Sequence, residues 1–269
     1  MRPALRAQAG GTEEEVGVAP LAAIGVGTGS LLLVALVVVA VLALAAGSVG
    51  RERQIDLAPL RAGQLAALLA MLATVFVALL AGVAIDGGSQ LVPIDGRVAS
   101  FLAEHRHPWL TSAMKVLTWA GSTLLLAPLV IATGLVLRRA TASWRPLVFL
   151  ATCLACGGVS ANLIKPAVGR ARPDDPLAHA IGYAFPSGHA TNSAAGWLAL
   201  AVALGALTAS RGRRLALFAG ALLIAAIVGL SRVYLRVHAA TDVLAGWALG
   251  AAWVVVVLLT TAVLDRRRI

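Results

Sequence analysis

The sequence predicts an all-α fold, a polytopic membrane helical bundle of one domain with seven transmembrane helices. Two observations predict this fold class. The mean hydropathy is +0.89 and 59% of the 269 residues are hydrophobic, which is far outside the range of soluble globular proteins. The apolar residues also fall into seven charge-free runs, and a spanning helix needs roughly 20 mostly apolar residues. Because lipid offers no partners to backbone N–H and C=O groups, each run must be helical.

The elements follow one another in a simple order. Residues 1–20 are a polar N-terminal tail, and 21–50 form the first transmembrane helix. This first apolar run is too long for a signal peptide, and basic residues follow it rather than precede it. Residues 60–265 form the six-helix domain. Its helices are predicted at 62–85, 116–137, 146–164, 190–210, 215–231 and 243–264.

A longer polar connection, 86–115, separates the first two helices of the domain. Within it Val98, Phe101 and Leu102 keep helical spacing, and Trp109 and Leu110 follow. The pattern predicts one or two amphipathic helices on the outer leaflet. They could guide a lipid substrate toward the polar residues, or they could simply pack against the bundle.

Membrane topology explains the formal net charge of +10 better than nucleic-acid binding does. Arginines cluster on alternate connections between the apolar runs, as the positive-inside rule requires of the cytoplasmic face. We therefore expect the bilayer as a partner and no nucleic acid. The clusters are Arg51, Arg53 and Arg61, then Arg138, Arg139 and Arg145, then Arg211, Arg213 and Arg214, and finally Arg266, Arg267 and Arg268.

Three groups of polar residues interrupt the second half of this otherwise apolar chain, in which only 13% of residues are charged. They fall at 165–173, 186–189 and 231–242, at the ends of apolar runs. The connections that carry them alternate with the arginine clusters. The charge distribution therefore predicts that all three groups lie together on the extracytoplasmic face.

The group at 186–189 consists of Pro186, Ser187, Gly188 and His189, directly before an apolar run. Proline, serine and glycine in this position indicate a helix N-terminus. Free N–H groups and the helix dipole make such an end a natural phosphate site, and Gly188 allows close approach of an anion. A plain helix cap explains Ser187 equally well, but it does not explain His189.

His238 and Asp242 are four residues apart, so on a helix they would share one face. A carboxylate next to an imidazole fixes its tautomer and stabilises the cation that forms when the other nitrogen reacts. The alternative is an ion pair that caps the last helix.

Lys165, Arg172 and Arg232 would each be ordinary at the end of a spanning helix, where long cationic side chains reach toward water. Brought together beside two histidines, they repel one another unless an anion lies between them. Phosphoryl transfer requires such donors, because charge spreads over the equatorial oxygens in the transition state.

The spacing of these residues resembles the three-part signature of the type 2 phosphatidic acid phosphatase superfamily. Six residues separate Lys165 from Arg172 and Pro173, and the motif Pro-Ser-Gly-His is intact. Ser231 and Arg232 are followed by five residues, His238, three more residues, and Asp242. The flanking helices resemble the six-helix core of the family's bacterial lipid phosphatases, so the helix at 21–50 is an addition to that core.

The resemblance implies a role for each residue. His238 is the nucleophile that forms a phosphohistidine, Asp242 orients it, and His189 protonates the leaving oxygen and later activates water. The groups that bind the phosphoryl oxygens are those of Lys165, Arg172, Ser187, Gly188 and Arg232. The family needs no metal or other cofactor, and the sequence offers no acidic cluster for magnesium.

These observations together predict an integral membrane phosphatase in a bacterial plasma membrane, with its active site facing outward. The expected substrates are lipid phosphates of the undecaprenyl diphosphate, phosphatidic acid or phosphatidylglycerophosphate type. One alternative is a lipid headgroup phosphotransferase that uses the same intermediate. Another is a non-catalytic transporter or receptor-like relative, although such a relative would be expected to lack a residue of the signature. Vanadium haloperoxidases of the family are soluble, and the seven apolar runs exclude that class.

Overall fold

Eight α-helices make up the described part of the computed structural model, which comprises residues 61–84 and 92–266. The all-α prediction is confirmed for these residues. The predicted tail at 1–20 and the extra transmembrane helix at 21–50 lie outside the described residues. The helices are α1 Ala62–Ala84, α2 Val92–Glu104, α3 Pro108–Leu117, α4 Thr123–Thr141, α5 Arg145–Val168, α6 Gly188–Gly205, α7 Arg211–Tyr234 and α8 Ala240–Arg266.

Five of these helices, α1, α4, α5, α7 and α8, are long and apolar enough to cross a membrane. Helix α6 is different, because it packs against α4, α5, α7 and α8 and lies at the centre of the bundle. Every residue from 190 to 205 except Leu198 is buried. Surrounded by protein rather than lipid, α6 carries the buried polar residues Thr191, Asn192 and Ser193. Helix α6 ends five residues before the end of the predicted run 190–210. Helix α7 extends beyond the predicted run 215–231 at both ends.

The predicted helix at 116–137 was wrong at its beginning. A 3₁₀ turn, Thr118–Gly121, interrupts the apolar run, and α4 begins only at Thr123. Ser122 caps α4, since its hydroxyl accepts a hydrogen bond of 3.2 Å from the Leu124 N–H. A Cβ atom on Gly121 would lie 2.7 Å from the carbonyl oxygen of His189. Glycine therefore lets this turn pack against the start of α6.

The polar connection forms two helices, α2 and α3, so the helical spacing predicted them correctly. Val98 and Leu102 of α2 pack on Val233 and Val243, and α3 packs on the end of α7 through Leu110 and Met114. Both helices cover one end of the bundle. Their position on the outer leaflet remains a prediction.

The helices run in alternating directions, which brings the three polar groups to one end of the bundle. Helices α5 and α7 end there, and α6 and α8 begin there. Close backbone packing holds α6 and α8 together at this end. A Cβ on Gly246 would lie 2.6 Å from the Ser187 carbonyl oxygen, and the glycines at 246 and 250 are one turn apart.

Candidate active site

A cavity of about 450 Å³ opens at the end of the bundle where the three polar groups meet. Six of the eight predicted site residues line it, and the other two, Ser187 and Asp242, are fully buried directly beside it. The Ser187 N–H donates a 2.9 Å hydrogen bond to the Asp242 carbonyl oxygen. The structure therefore brings all eight residues together. The lining residues among them are Lys165, Arg172, Gly188, His189, Arg232 and His238.

His238 lies in the turn between α7 and α8, not on a helix. The prediction that His238 and Asp242 share a helix face was therefore wrong, because α8 begins only at Ala240. The turn itself makes the contact. Asp242 stands in the first turn of α8, and its Oδ2 accepts a 2.9 Å hydrogen bond from the Ala239 N–H. The same oxygen lies 3.5 Å from His238 Nδ1.

The surroundings of His238 define its tautomer and charge. Nη1 of Arg172 lies 3.3 Å from His238 Nε2, and because a guanidinium only donates hydrogen bonds, Nε2 accepts with its lone pair. The proton of the neutral ring then belongs to Nδ1, which faces Asp242. Burial lowers the pKa of His238 to about 4, against the opposing effect of Asp242. His238 is thus a neutral imidazole at neutral pH, and its Nε2 lone pair accepts from Arg172 at the edge of the cavity.

Lys165 and Arg172 are held by backbone carbonyls of the loop between α5 and α6. Lys165 Nζ donates to the carbonyl oxygens of Tyr183 and Pro186, each at 2.9 Å. An ammonium has three donors, so one remains for a ligand. The guanidinium of Arg172 donates in the same way, from Nε to Gly182 O, from Nη2 to Ile181 O and from Nη1 to Val237 O.

Arg232 and Ser187 offer buried donors that the protein leaves unused. Nη1 of Arg232 donates to the Thr118 hydroxyl at 2.9 Å, whereas its Nε has no partner among the described residues. Ser187 occupies the N-cap position of α6, yet its hydroxyl makes no capping bond and has no partner in the described ranges. The helix-cap interpretation of Ser187 was therefore wrong. Buried donors without partners are costly, and an oxyanion in the cavity would satisfy both.

Gly188 begins α6, and a Cβ on it would meet no atom within 4 Å. The N-terminus of α6 therefore lies at the open space of the cavity, next to His189. Three cationic side chains and two imidazoles surround this space. The negative charge of the nearby Asp242 is neutralised by its ion pair with Arg170. The site is positively charged overall and suits an anion with several oxygens.

The sequence analysis missed Arg170 and its two partners, Asp95 and Thr241. Nη1 of Arg170 contacts Asp242 Oδ1 at 2.5 Å and Nη2 contacts Asp95 Oδ2 at 2.8 Å. Burial lowers the pKa of Arg170, but the two carboxylates outweigh burial and raise that pKa above its usual value. The sequence did contain a signal, which was the scarcity of charged residues. Arg170 is an additional arginine inside the motif that runs from Lys165 to Arg172, and Asp95 is a carboxylate in a weakly charged chain.

No three histidine, cysteine or acidic side chains come together as a metal site within residues 61–84 and 92–266. The oxygens of Asp95 and Asp242 already accept hydrogen bonds from protein donors. The donors at the cavity are those of cationic side chains, which suit an oxyanion.

Fold and site together define an α-helical membrane protein with a cationic oxyanion site between two imidazoles. Comparison with known proteins gives the family. The model of the PAP2 superfamily matches residues 146–266, which include all three motifs. Together with a relative described next, this match shows that the chain belongs to the PAP2 superfamily. The resemblance inferred from the motifs is confirmed.

Two similar proteins with established names are phosphatases. Phosphatidylglycerophosphatase B of Bacillus subtilis is 34% identical over 149 residues, which are 54% of this chain and 72% of that protein. Lipid A 1-phosphatase of Rhizobium etli is 35% identical over 113 residues, or 38% of this chain and 44% of that protein.

A solved structure has the same fold. The crystal structure of a transmembrane PAP2-type phosphatidylglycerolphosphate phosphatase from Bacillus subtilis superimposes with a TM-score of 0.66 at 28% identity. The match covers 74% of this chain and 96% of that one. Its transmembrane nature and the five apolar helices identify this chain as an integral membrane protein.

Proposed function

We propose that this protein is an integral membrane phosphatase that hydrolyses the phosphate ester of a lipid through a phosphohistidine intermediate, without a metal ion. The observation that carries the proposal is the neutral His238, whose Nε2 lone pair meets a cavity lined by Lys165, Arg172 and Arg232. A nucleophile and oxyanion donors around one cavity are the two requirements of covalent phosphoryl transfer.

In the first step, the non-bridging oxygens of the phosphate accept hydrogen bonds from the three cationic side chains, the Ser187 hydroxyl and the Gly188 N–H. His238 Nε2 attacks phosphorus, and an N–P bond forms as the bond from phosphorus to the ester oxygen breaks. His189 gives its proton to the departing oxygen, and the lipid leaves as an alcohol. Burial and the neighbouring cations lower the pKa of His189 well below its usual value. The negative charge of the bound phosphate opposes these effects and favours the protonated form of His189 that this step requires.

In the second step, neutral His189 takes a proton from a water molecule whose oxygen attacks phosphorus. The N–P bond breaks, orthophosphate is released, and both histidines return to their initial states. Throughout, Nδ1–H of His238 faces Asp242, and the carboxylate stabilises the positive ring of the intermediate. This cycle consumes one water and needs no other reactant.

The substrate we propose is a lipid phosphate, with phosphatidylglycerophosphate as the first candidate. The name of the 34% identical relative supports this choice, and the name of the other relative supports a phosphorylated lipid in general. Phosphatidic acid and undecaprenyl diphosphate remain the further candidates. We also propose that the site faces outward from a bacterial plasma membrane, since it lies at the opposite end of the bundle from Arg138, Arg139 and the cluster that begins at Arg211.

A phosphate-release panel in detergent tests the proposal. We expect the purified protein to release orthophosphate from at least one of the three lipids in the presence of EDTA, and vanadate to inhibit it. Glucose 6-phosphate, which has no lipid anchor, serves as the matched poor substrate. Loss of activity with EDTA and its return with magnesium would contradict the mechanism. Transfer of phosphate to added glycerol with little release to water would favour the phosphotransferase alternative.

His238→Ala tests the nucleophile separately. Removal of a covalent nucleophile is expected to lower kcat by at least about 10⁴-fold, and acid-quenched samples should contain no protein-bound ³²P. His179→Ala is the matched control, because His179 also lines the cavity but has no role in the proposed steps. Near wild-type turnover by His238→Ala would refute the assignment of the nucleophile.

A further inference from the structure

We propose that Arg170 is a positioning residue that fixes the Asp242 carboxylate toward His238, and that Asp95 and Thr241 in turn hold Arg170. The proposal extends the proposed function, since it assumes that Asp242 acts on His238. Arg170 is not one of the motif residues, and Asp95 lies outside the part of the chain that the family model matches.

The two oxygens of Asp242 have different partners. Oδ1 accepts the 2.5 Å bond from Arg170 Nη1, whereas Oδ2 accepts from the Ala239 N–H and faces His238 Nδ1. With both oxygens engaged, the carboxylate cannot rotate about its last bond without loss of a hydrogen bond. The orientation of Oδ2 toward the imidazole is therefore determined in part by a bond at the other oxygen.

Arg170 is fixed on its far side by a carboxylate from a distant element. Nη2 donates to Asp95 Oδ2 at 2.8 Å, and Nη1 also donates to the Thr241 hydroxyl at 2.7 Å. Asp95 in turn accepts from the Thr241 N–H at 2.9 Å and from its hydroxyl at 2.7 Å. Asp95 belongs to α2 and is 146 positions from Thr241. The network thus attaches α2 to the first turn of α8.

The burial of these groups indicates why two carboxylates are present. The side chain of Asp242 is 0% exposed, and those of Arg170 and Asp95 are 13% and 10% exposed. A buried charge is tolerated only when it is paired and hydrogen-bonded. The planar guanidinium can meet two carboxylates at once, which an ammonium cannot. Asp95 thereby prevents Arg170 from turning away from Asp242 toward solvent.

The other charged and titratable groups around Asp242 are His238 in the same turn, Lys165 at the end of α5 and Arg172 in the loop after α5. Arg170 is the one that bonds directly to the carboxylate. Loss of its positive charge would make the ionised carboxylate less favourable, so a higher pH would be needed to keep Asp242 charged. Activity that depends on ionised Asp242 should therefore require a higher pH when Arg170 is neutral.

The experiment measures five variants of the full chain in detergent on the lipid that the wild type hydrolyses: four single variants, and the double variant that combines Arg170→Gln with Asp95→Asn. Arg170→Gln removes the charge, Arg170→Lys keeps the charge but loses the planar fork, and Asp95→Asn removes the far carboxylate. Arg97→Gln is the matched control, since Arg97 is an exposed arginine on α2 two residues from Asp95 and takes no part in the network. The readouts are kcat, KM, the pH dependence of kcat/KM and the folded fraction.

We expect Arg170→Gln to lower kcat by about 10- to 100-fold, the range for residues that orient a reacting histidine through a second group, with little change in KM. The acid limb of its pH profile should move to higher pH. Arg170→Lys should restore most of the pH profile but not all of kcat. Asp95→Asn should lower kcat by less and should not move the acid limb to higher pH, because Arg170 keeps its charge and a neighbouring negative charge is removed. The double variant should be no worse than Arg170→Gln alone. Arg97→Gln should match the wild type.

A purely structural role predicts a different result. A loss of activity in proportion to the loss of folded protein, with an unchanged pH profile, would overturn the proposal. If Arg170→Gln fails to fold, Asp95→Asn decides, because a wild-type kcat per folded protein in that variant would also overturn the proposal. Inactivity of the wild type toward every lipid phosphate would instead refute the proposed function.

Discussion

His238 is the residue whose chemical state matters most, and its surroundings specify that state. Burial favours the neutral ring, and the donor from Arg172 favours the Nδ1–H tautomer. Since burial lowers the pKa of His238 to about 4, the ring loses its proton as the pH rises through about 4. An ordinary histidine does so near 6.5. Above that range, Nε2 carries the lone pair that the proposed mechanism requires, and Arg172 has to release it for attack.

Long-range ¹H–¹⁵N NMR of histidine-labelled protein in detergent micelles measures this state directly. We expect the His238 signals to report a neutral Nδ1–H ring at pH 6. His238→Gln assigns the signals. A His238 ring that is charged at pH 6, or that carries its proton on Nε2, would contradict the interpretation of its contacts.

The sequence predicted the site residues better than it predicted their support. Lys165, His189 and His238 were conspicuous because polar side chains are rare at the ends of apolar runs, and alternating topology placed them together. Arg170 and Asp95 are 75 residues apart, and each alone is typical of a solvated connection. Their meeting depends on how α2 folds back over the bundle, and no local pattern in the sequence records that.

At the scale of single elements, hydropathy located the apolar runs but not the details that form the site. It did not detect the 3₁₀ turn Thr118–Gly121, because no charge interrupts the run there. This turn places Thr118 against Arg232 and Gly121 against the start of α6. Hydropathy also treated α6 as another lipid-facing helix, although its surroundings are protein on nearly all sides.

The contact between α6 and α8 gives a prediction about packing. A Cβ on Gly246 would lie 2.6 Å from the Ser187 carbonyl oxygen and 2.9 Å from the Ala190 Cβ. Backbone cannot move aside locally, so Gly246→Ala should force the two helices apart and lower stability by about 1–3 kcal/mol. Both helices carry site residues, and a misplacement of about 1 Å can cost roughly 100-fold in rate. Thermal unfolding in detergent and kcat measure the two effects.

Gly220→Ala on α7 is the matched control, because a Cβ there would meet no atom within 4 Å. This variant should melt at the wild-type temperature or above, since alanine is a better helix former than glycine. Equal melting temperatures and activities for the two variants would show that α6 and α8 do not depend on close approach at Gly246.

At the scale of the whole molecule, the bundle has two chemically different ends. One end carries the cavity, α2 and α3, whereas the other carries Arg138 and Arg139 at the end of α4 and the arginines at the start of α7. Arg138 lies 3.8 Å from the ring centroid of Trp144, and such arginine and tryptophan pairs are typical of membrane interfaces. The separation of arginines from the site supports an outward-facing cavity, because cytoplasmic connections are enriched in arginine.

Cysteine labelling tests this orientation. Asp174 and Ala209 are exposed residues on connections at opposite ends of the bundle, before and after α6. In spheroplasts, Asp174→Cys is expected to react with a membrane-impermeant maleimide, whereas Ala209→Cys should react only after the membrane is permeabilised. The wild type provides the background, since Cys153 is buried and Cys156 is partly buried within α5. The reverse pattern would place the cavity in the cytoplasm, so that lipid phosphates of the inner leaflet would become its substrates.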